Sequence, residues 1–381
     1  MDENKLTHIA GTFLIQAEGA FLNGAGLESG EDQNTSAPKS YWDIDEKGRR
    51  VRVPYVSAQA WRRWLRETFQ QENPNEPAAE VVEKGKSAKG TTNKIGTEMN
   101  PIEFAEDDVF GYMRTQKEQG KEKKKTVDDL LEEARQEAES ESGETNKKGK
   151  TEKTKAVMRS SPFVSSILKS IRKDSTVMNE DEGFVHLKKG FPLPYTTKFY
   201  NTQLQGIFGL NYARLGVFRN DGDRIELDEI FAKQYTTDGT IRQQNGKKDV
   251  FEVVENKRRE RATMILKALA VLRGGAKQAQ FGTDVAPKAI VVAGLNCGNL
   301  IFNDIFAEKE GKPIIKIDCL KQILTDYKDR LVTPVFVGFR KGYLHPQNEM
   351  ELESLKDGVA VELTSPIEAI NKLTQQLNTV G

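Results

Sequence analysis

Arg49-Arg50-Val51-Arg52-Val53-Pro54-Tyr55-Val56-Ser57-Ala58-Gln59-Ala60-Trp61-Arg62-Arg63-Trp64-Leu65-Arg66-Glu67 reads as a basic strand running into a capped helix. Ser57 stands where an N-cap belongs, so its hydroxyl can accept from the next turn while other first-turn amides stay free to meet an anion. On a helical period Trp61, Leu65, Thr68 and Phe69 share one face with Trp64 at its border. Gln59, Arg62 and Arg66 line up on another face, with Arg63 beside them. One side packs and the other is cationic. Two readings fit this segment alone: solvated arginines on an ordinary surface helix, or a clamp for phosphates.

The chain has 381 residues and 37% hydrophobic content, enough for a real core in one large domain or two modest ones. Lysine plus arginine equals aspartate plus glutamate at 57 each, so only local clustering can mark a polyanionic partner. No apolar run approaches a bilayer span, and the first residues match neither a signal peptide nor a presequence. Cys297 and Cys319 form no paired pattern, so a cytoplasmic protein without membrane partners is expected. His8, His186 and His345 are far apart, and no phosphate-loop, nucleophile-elbow or zinc-protease motif occurs. A cofactor enzyme is not expected.

Residues 70–155 are rich in Glu, Lys, Ser, Asn and Gly, and read as an insertion too polar to fold tightly at its ends. Within it, 126–135 has helical spacing, Ile102 to Tyr112 offers an apolar anchor, and Lys121, Lys123, Lys124 and Lys125 cluster. Stretches 72–100 and 136–156 are expected to be dispensable for folding. Outside the insertion, His8 to Gln16 alternates as a strand, and Tyr200 to Phe218 gives one or two strands. A basic helix from Glu252 to Leu272 follows, ending at Gly274-Gly275, and then a buried strand from Lys288 to Leu295. The order strand, helix, strand, strand, helix, strand is that of the ferredoxin-like unit used by RNA-recognition domains. A further helix at Asp318 to Tyr327 and a strand at Val335 to Phe339 extend this core toward an irregular C-terminus.

In Gly274-Gly275-Ala276-Lys277-Gln278-Ala279-Gln280, small residues allow a backbone to come close while Lys277, Gln278 and Gln280 supply donors. A helix C-cap followed by a polar loop is the plain alternative. Beside the capped helix and the basic second helix, the loop fits single-stranded nucleic acid held by its backbone. The basic-Gly-aromatic stacking motif of RNA-recognition domains is absent from the sequence.

Val56–Glu67, Arg159-Ser160-Ser161-Pro162-Phe163, Asn201-Thr202-Gln203-Leu204-Gln205-Gly206-Ile207-Phe208 and Gly274–Gln278 occur in an order that resembles the DevR-type backbone subunit of CRISPR Cascade complexes, in the Cas-seven superfamily. Asn23 in Ala20-Phe21-Leu22-Asn23-Gly24-Ala25-Gly26 also matches, and the subtype most resembled is I-B. The resemblance spans about residues 5 to 300 and lapses through the insertion. It implies an α+β protein: a modified RRM or ferredoxin-like palm with a finger insertion and a protruding thumb. The parts expected are 1–69 and 199–295 for the palm, 70–155 for the finger, 156–198 for the thumb region and 296–381 for a C-terminal extension. Residues implied to touch guide RNA are Asn23, Arg50, Arg52, Ser57, Gln59, Arg62, Arg63, Arg66, Arg159, Ser160, Gly275, Ala276, Lys277 and Gln278. Val177, Met178 and Phe184, with Lys188, Lys189 and Phe191, mark the thumb.

The function implied is a non-catalytic subunit that polymerises along crRNA and presents the spacer to target DNA. Its partners would be further copies of itself, the large, small and 5'-handle-binding Cascade subunits, and a recruited helicase-nuclease. The alternative is a type III-like subunit with metal-dependent target-RNA cleavage, using Glu18, Glu28 or Asp32 as the acid. Related cutting subunits carry an aspartate after the first strand, and Ala17 to Gly26 has only Glu18. A developmental promoter-binding role finds no helix-turn-helix pattern in its favour.

Overall fold

Alternation along the first strand sets the layers. The computed structural model describes residues 5–26, 34–80, 82–86, 93–114, 156–221, 224–244, 246–357 and 361–380. In it β1 (His8–Ala20) sends Ile9, Phe13, Ile15 and Ala17 to one face and Leu14 to the other. Strands β2 (Ser40–Ile44) and β3 (Arg50–Val56) pair antiparallel, and β3 leads into helix α1 (Ala58–Glu72). Ser57 is extended at φ −63°, ψ 146°, and its Oγ accepts from the Ala60 amide at 3.3 Å. The buried face of α1 is Trp61, Trp64, Leu65, Thr68 and Phe69, the face its spacing predicts.

Chain order continues with α2 (Ala105–Phe110), β4 (Phe163–Ser165), β5 (Leu168–Ser170), β6 (Met178–Val185), β7 (Leu193–Leu210), α3 (Glu255–Ala270) and β8 (Ala289–Leu295). The four inner strands run β8-β1-β7-β5, every neighbour antiparallel. Helices α1 and α3 make the two crossovers, which is the ferredoxin-like arrangement. The chain is therefore α+β. Its strands differ from the sequence expectation in one respect. Residues 200–218 supply only one strand of the unit, β7, and the second strand comes from β4 and β5 inside 156–198.

The C-terminal part is a second layer rather than an irregular tail. Helix α4 (Ile317–Asp326), strands β9 (Val335–Phe339) and β10 (Val361–Thr364), and helix α5 (Pro366–Val380) follow β8, and β9 and β10 extend the sheet beyond it. Helices α1, α3 and α5 cover one sheet face through Trp61, Leu65, Ile265, Leu269, Ile370 and Leu373. Phe302, Ile305, Phe306, Ile315 and Leu320 cover the other, over Leu14, Val291 and Val337. The face on which an RNA-recognition domain stacks bases is closed here by the protein's own core.

Part of the expected insertion belongs to that core. Met99, Ile102, Phe104, Ala105 and Val109 are buried, and the Ala79 amide donates to Glu106 at 2.8 Å. The stretch that can be removed is thus shorter than 72–100 at both ends, since α1 itself reaches Glu72. The helix expected at 126–135, the lysines at 121–125 and most of 136–156 lie outside the described residues.

One buried carboxylate ties four segments together. Asp108 on α2 pairs with Arg159 and, at 2.7 Å, with Arg261 on α3; all three side chains are 0% exposed. The Gly216 amide also donates to Asp108 at 2.9 Å. Arg159 further donates to the Asp108, Val217 and Arg214 carbonyls, and Arg261 to the Ile102 carbonyl at 2.7 Å. Removing one member of such a buried set leaves uncompensated charge in a dry interior. Asp108→Ala should destabilise the chain by about 3–5 kcal/mol. Chemical denaturation checks this; a loss under about 1 kcal/mol would mean the network is not structural.

Candidate nucleic-acid interface

Three loops meet at the start of α1. After a β-bulge at the end of β1, Asn23 Oδ1 accepts from the Ser57 amide at 3.0 Å, so its side chain fixes the residue that caps the helix. The Leu22 carbonyl accepts from the Ala276 amide at 2.9 Å, and the Asn23 carbonyl from the Lys39 amide at 2.7 Å. Gly274 and Gly275 have φ of +143° and +104°, and a Cβ would run into Trp64 at the first and Leu22 at the second. Only glycine lets the loop lie this close to the helix.

Lys277 follows in the left-handed region at φ 51°, an uncommon setting for a lysine. Its Nζ lies 4.6 Å from the Phe21 ring centroid and 3.4 Å from Thr197 Oγ1, contacts with a π face and a hydroxyl. Partial burial pushes its pKa down. An anion arriving here would replace lost solvation and favour the charged form. Phe21 stacks on Phe281, which also meets Phe199, so an aromatic pad supports the lysine. Gln278 turns its amide nitrogen back to the Gly274 carbonyl and shapes the loop. Gln59 is exposed on the first turn of α1, where helical amides lack partners within the helix.

The arginines along α1 divide by what they hold. Arg62 donates to the Phe163 carbonyl at 2.7 Å and Ser161 Oγ at 3.0 Å, beside the Phe110 and Phe163 rings, and burial pushes its pKa down. Arg66 pairs with the buried carboxylate of Glu106 at 3.0 Å and donates to the Ala79 carbonyl at 2.8 Å. Arg63 is largely exposed and pairs with Glu67 one turn on, a contact worth little in water. A groove of about 830 Å³ lined by Gln59, Arg62, Arg63, Arg66, Phe110 and Gly111 runs beside them. The face is cationic, but Arg62 and Arg66 spend their donors holding α2 and the 161–163 turn.

Several implied residues fall elsewhere. Arg159 is the buried partner of Asp108 and cannot reach a ligand, so it leaves the RNA-contact set for the core; its neighbour Ser160 is exposed. Val177 is buried and Met178 packs on the core, so both root the β6–β7 hairpin. Phe184 is 62% and Phe191 90% exposed farther out. By alternation Glu18 lies on the sheet face opposite α1, near the buried Tyr343 hydroxyl, whose pKa rises mainly through burial and then through Glu18. Glu28 and Asp32 lie outside the described residues. Arg50 and Arg52 flank Trp42 on β2 and β3. Trp42 and Phe21 were missed in sequence, though a strand ending at Asp45-Glu46-Lys47-Gly48 before Arg49–Arg52 is a hairpin signal.

Arg66→Ala should act first on stability, costing about 2 kcal/mol through hydrogen bonds to the Glu106 carboxylate. The check is a double-mutant cycle with Glu106→Gln by denaturant melting. Independent, additive losses would show that the pair is not coupled.

No family model matches the sequence, and no curated protein matches it. Among solved structures the chain is similar to one titled "CRISPR RNA-guided surveillance complex, pre-nicking", with TM-score 0.50 and 12% identity over 97% of this chain and 100% of that chain. Another, "CRISPR RNA-guided surveillance complex", gives TM-score 0.45 and 10% identity over 97% of this chain and 99% of that one. The first likeness is one of fold: the α+β arrangement described above is shared, at 12% identity, with a chain of that complex.

Proposed function

We propose that this chain is a non-catalytic, guide-RNA-binding backbone subunit of a type I CRISPR Cascade, of the DevR type and closest to subtype I-B. The observation that carries the reading is the meeting of Asn23, Ser57, Gln59 and Gly275 to Gln278 at one helix start, beside a lysine held by a π face and a hydroxyl. Helix amides, a glycine loop and a lysine grip phosphate and ribose and leave base edges free. A subunit serving any spacer needs that indifference, because sequence is read by pairing between the guide and the target strand.

Copies would stack head to tail, a heterologous contact that does not close on itself and whose length the RNA sets. The β6–β7 hairpin, apolar at Phe184, Phe191 and Leu193, is the thumb of this reading. crRNA, target DNA, the large, small and 5'-handle-binding subunits and a helicase-nuclease are the implied partners. Among the described residues no helix is long and apolar enough to cross a membrane.

Purified protein should carry a uniform, repeat-derived RNA. Lys277→Asn keeps a residue that tolerates the left-handed conformation and removes the charge. It should hold the melting temperature while weakening all guides alike and lowering the single-strand salt slope by about 0.7. A loss confined to one spacer sequence would contradict a backbone grip. Assembled complexes with complementary RNA and Mg²⁺ should leave the RNA intact; regular cleavage abolished by Glu18→Ala would move the chain to the nuclease class.

A further inference from the structure

We infer that Trp42, with Arg50 and Arg52 against it, is a stacking platform for one unpaired nucleotide, an inference that rests on the nucleic-acid reading above. Trp42 on β2 lies opposite Arg52 on β3, and Arg50 lies opposite Ile44, so all four side chains share one face of the hairpin. The Arg50 and Arg52 guanidinium carbons sit 4.8 and 4.6 Å from the Trp42 ring centroid. Two cation–π contacts hold the ring in place before any ligand arrives, which lowers the ordering cost of binding. Yet 53% of Trp42 is exposed, and Ile44 beside it is 60% exposed.

A half-exposed ring with two guanidiniums drawn over it matches a flat base, stacked on the indole or on the guanidinium planes, with its adjoining phosphate. It does not match a basic or purely apolar partner. Its position supports the same choice. Arg52 and Arg50 precede Ser57 by five and seven residues on one extended strand, roughly 17 and 23 Å at about 3.3 Å per residue. A strand gripped at the helix start can therefore reach the platform within a few nucleotides. The closed sheet face gives bases no such surface, so Trp42 supplies on an edge hairpin what the palm has buried.

The test uses the full chain titrated with uridine and deoxyuridine homo-oligomers, followed by tryptophan emission. Trp61 and Trp64 are buried, so quenching by a stacked base reports Trp42. Emission should fall on binding and the change should vanish in Trp42→Leu, whose affinity should drop about 5- to 100-fold. Trp42→Tyr, which keeps an aromatic face, should retain most of the affinity, and both variants should melt as the parent does. Arg50→Ala with Arg52→Ala should remove the grip on the one adjoining phosphate and lower the salt slope by about 0.7. Comparing the two homo-oligomers shows which sugar the platform takes. Binding with unchanged emission and full affinity in Trp42→Leu would overturn the platform and leave the backbone grip standing. No binding of either oligomer by the parent would overturn the nucleic-acid reading itself.

Discussion

The Asp108 carboxylate, shared by Arg159 and Arg261 away from water, is the constraint on which the candidate site depends. It fixes α2 between α3 and the strand ending at Arg159, and α2 in turn offers Glu106 to Arg66 and the Phe110 carbonyl to Arg62. Remove the carboxylate and the wall of the α1 groove loses its anchor. Two guanidiniums and one acid leave an excess positive charge in the interior, which Glu226 offsets through Arg159 and Arg214. Such a set adds little net stability over apolar packing, but it is costly to break in part, so it specifies one arrangement of segments distant in sequence.

Packing on both sides of the sheet decides where a ligand can bind. A ferredoxin-like unit covers one face with helices and leaves the other open, and here residues 302–355 fill the open face with their own apolar side chains. What remains are the ends of elements: the start of α1, the loop after β1 and the glycine loop after α3. These present backbone amides and a few cations, chemistry suited to phosphate and indifferent to base. A palm closed in this way is compatible with holding a strand by its backbone while its bases face outward.

Much of this was legible in the sequence, for reasons specific to each element. The period of Trp61, Leu65, Thr68 and Phe69, with Ser57 before it, fixed α1 and its buried face, and β9 was found at Val335 to Phe339 because it is a short, uniformly apolar run. The short strands β4 and β5 have three residues each, too few for a periodic signal, and they fall within 156–198, the stretch the resemblance assigns to the thumb region. Arg62, Arg66 and Arg159 illustrate the harder limit. Spacing tells which face an arginine occupies, but Glu106, Asp108 and the Phe163 carbonyl that engage them come from segments far along the chain. Ile102 to Tyr112 reads as an apolar anchor, and nothing in its spacing points to Glu106 and Asp108 as the partners of Arg66, Arg159 and Arg261.

Backbone hydrogen exchange with and without a guide-length RNA tests the central claim most directly, because the account assigns binding to main-chain amides as much as to side chains. Protection is predicted at Ala58 and Gln59 in the first turn of α1, and at Gly275, Lys277 and Gln278, with little change at Ala60 and Ala276, whose amides already donate to Ser57 and Leu22, and across 302–355. Protection confined to 302–355, or absent from both the helix start and the glycine loop while RNA is bound, would contradict it.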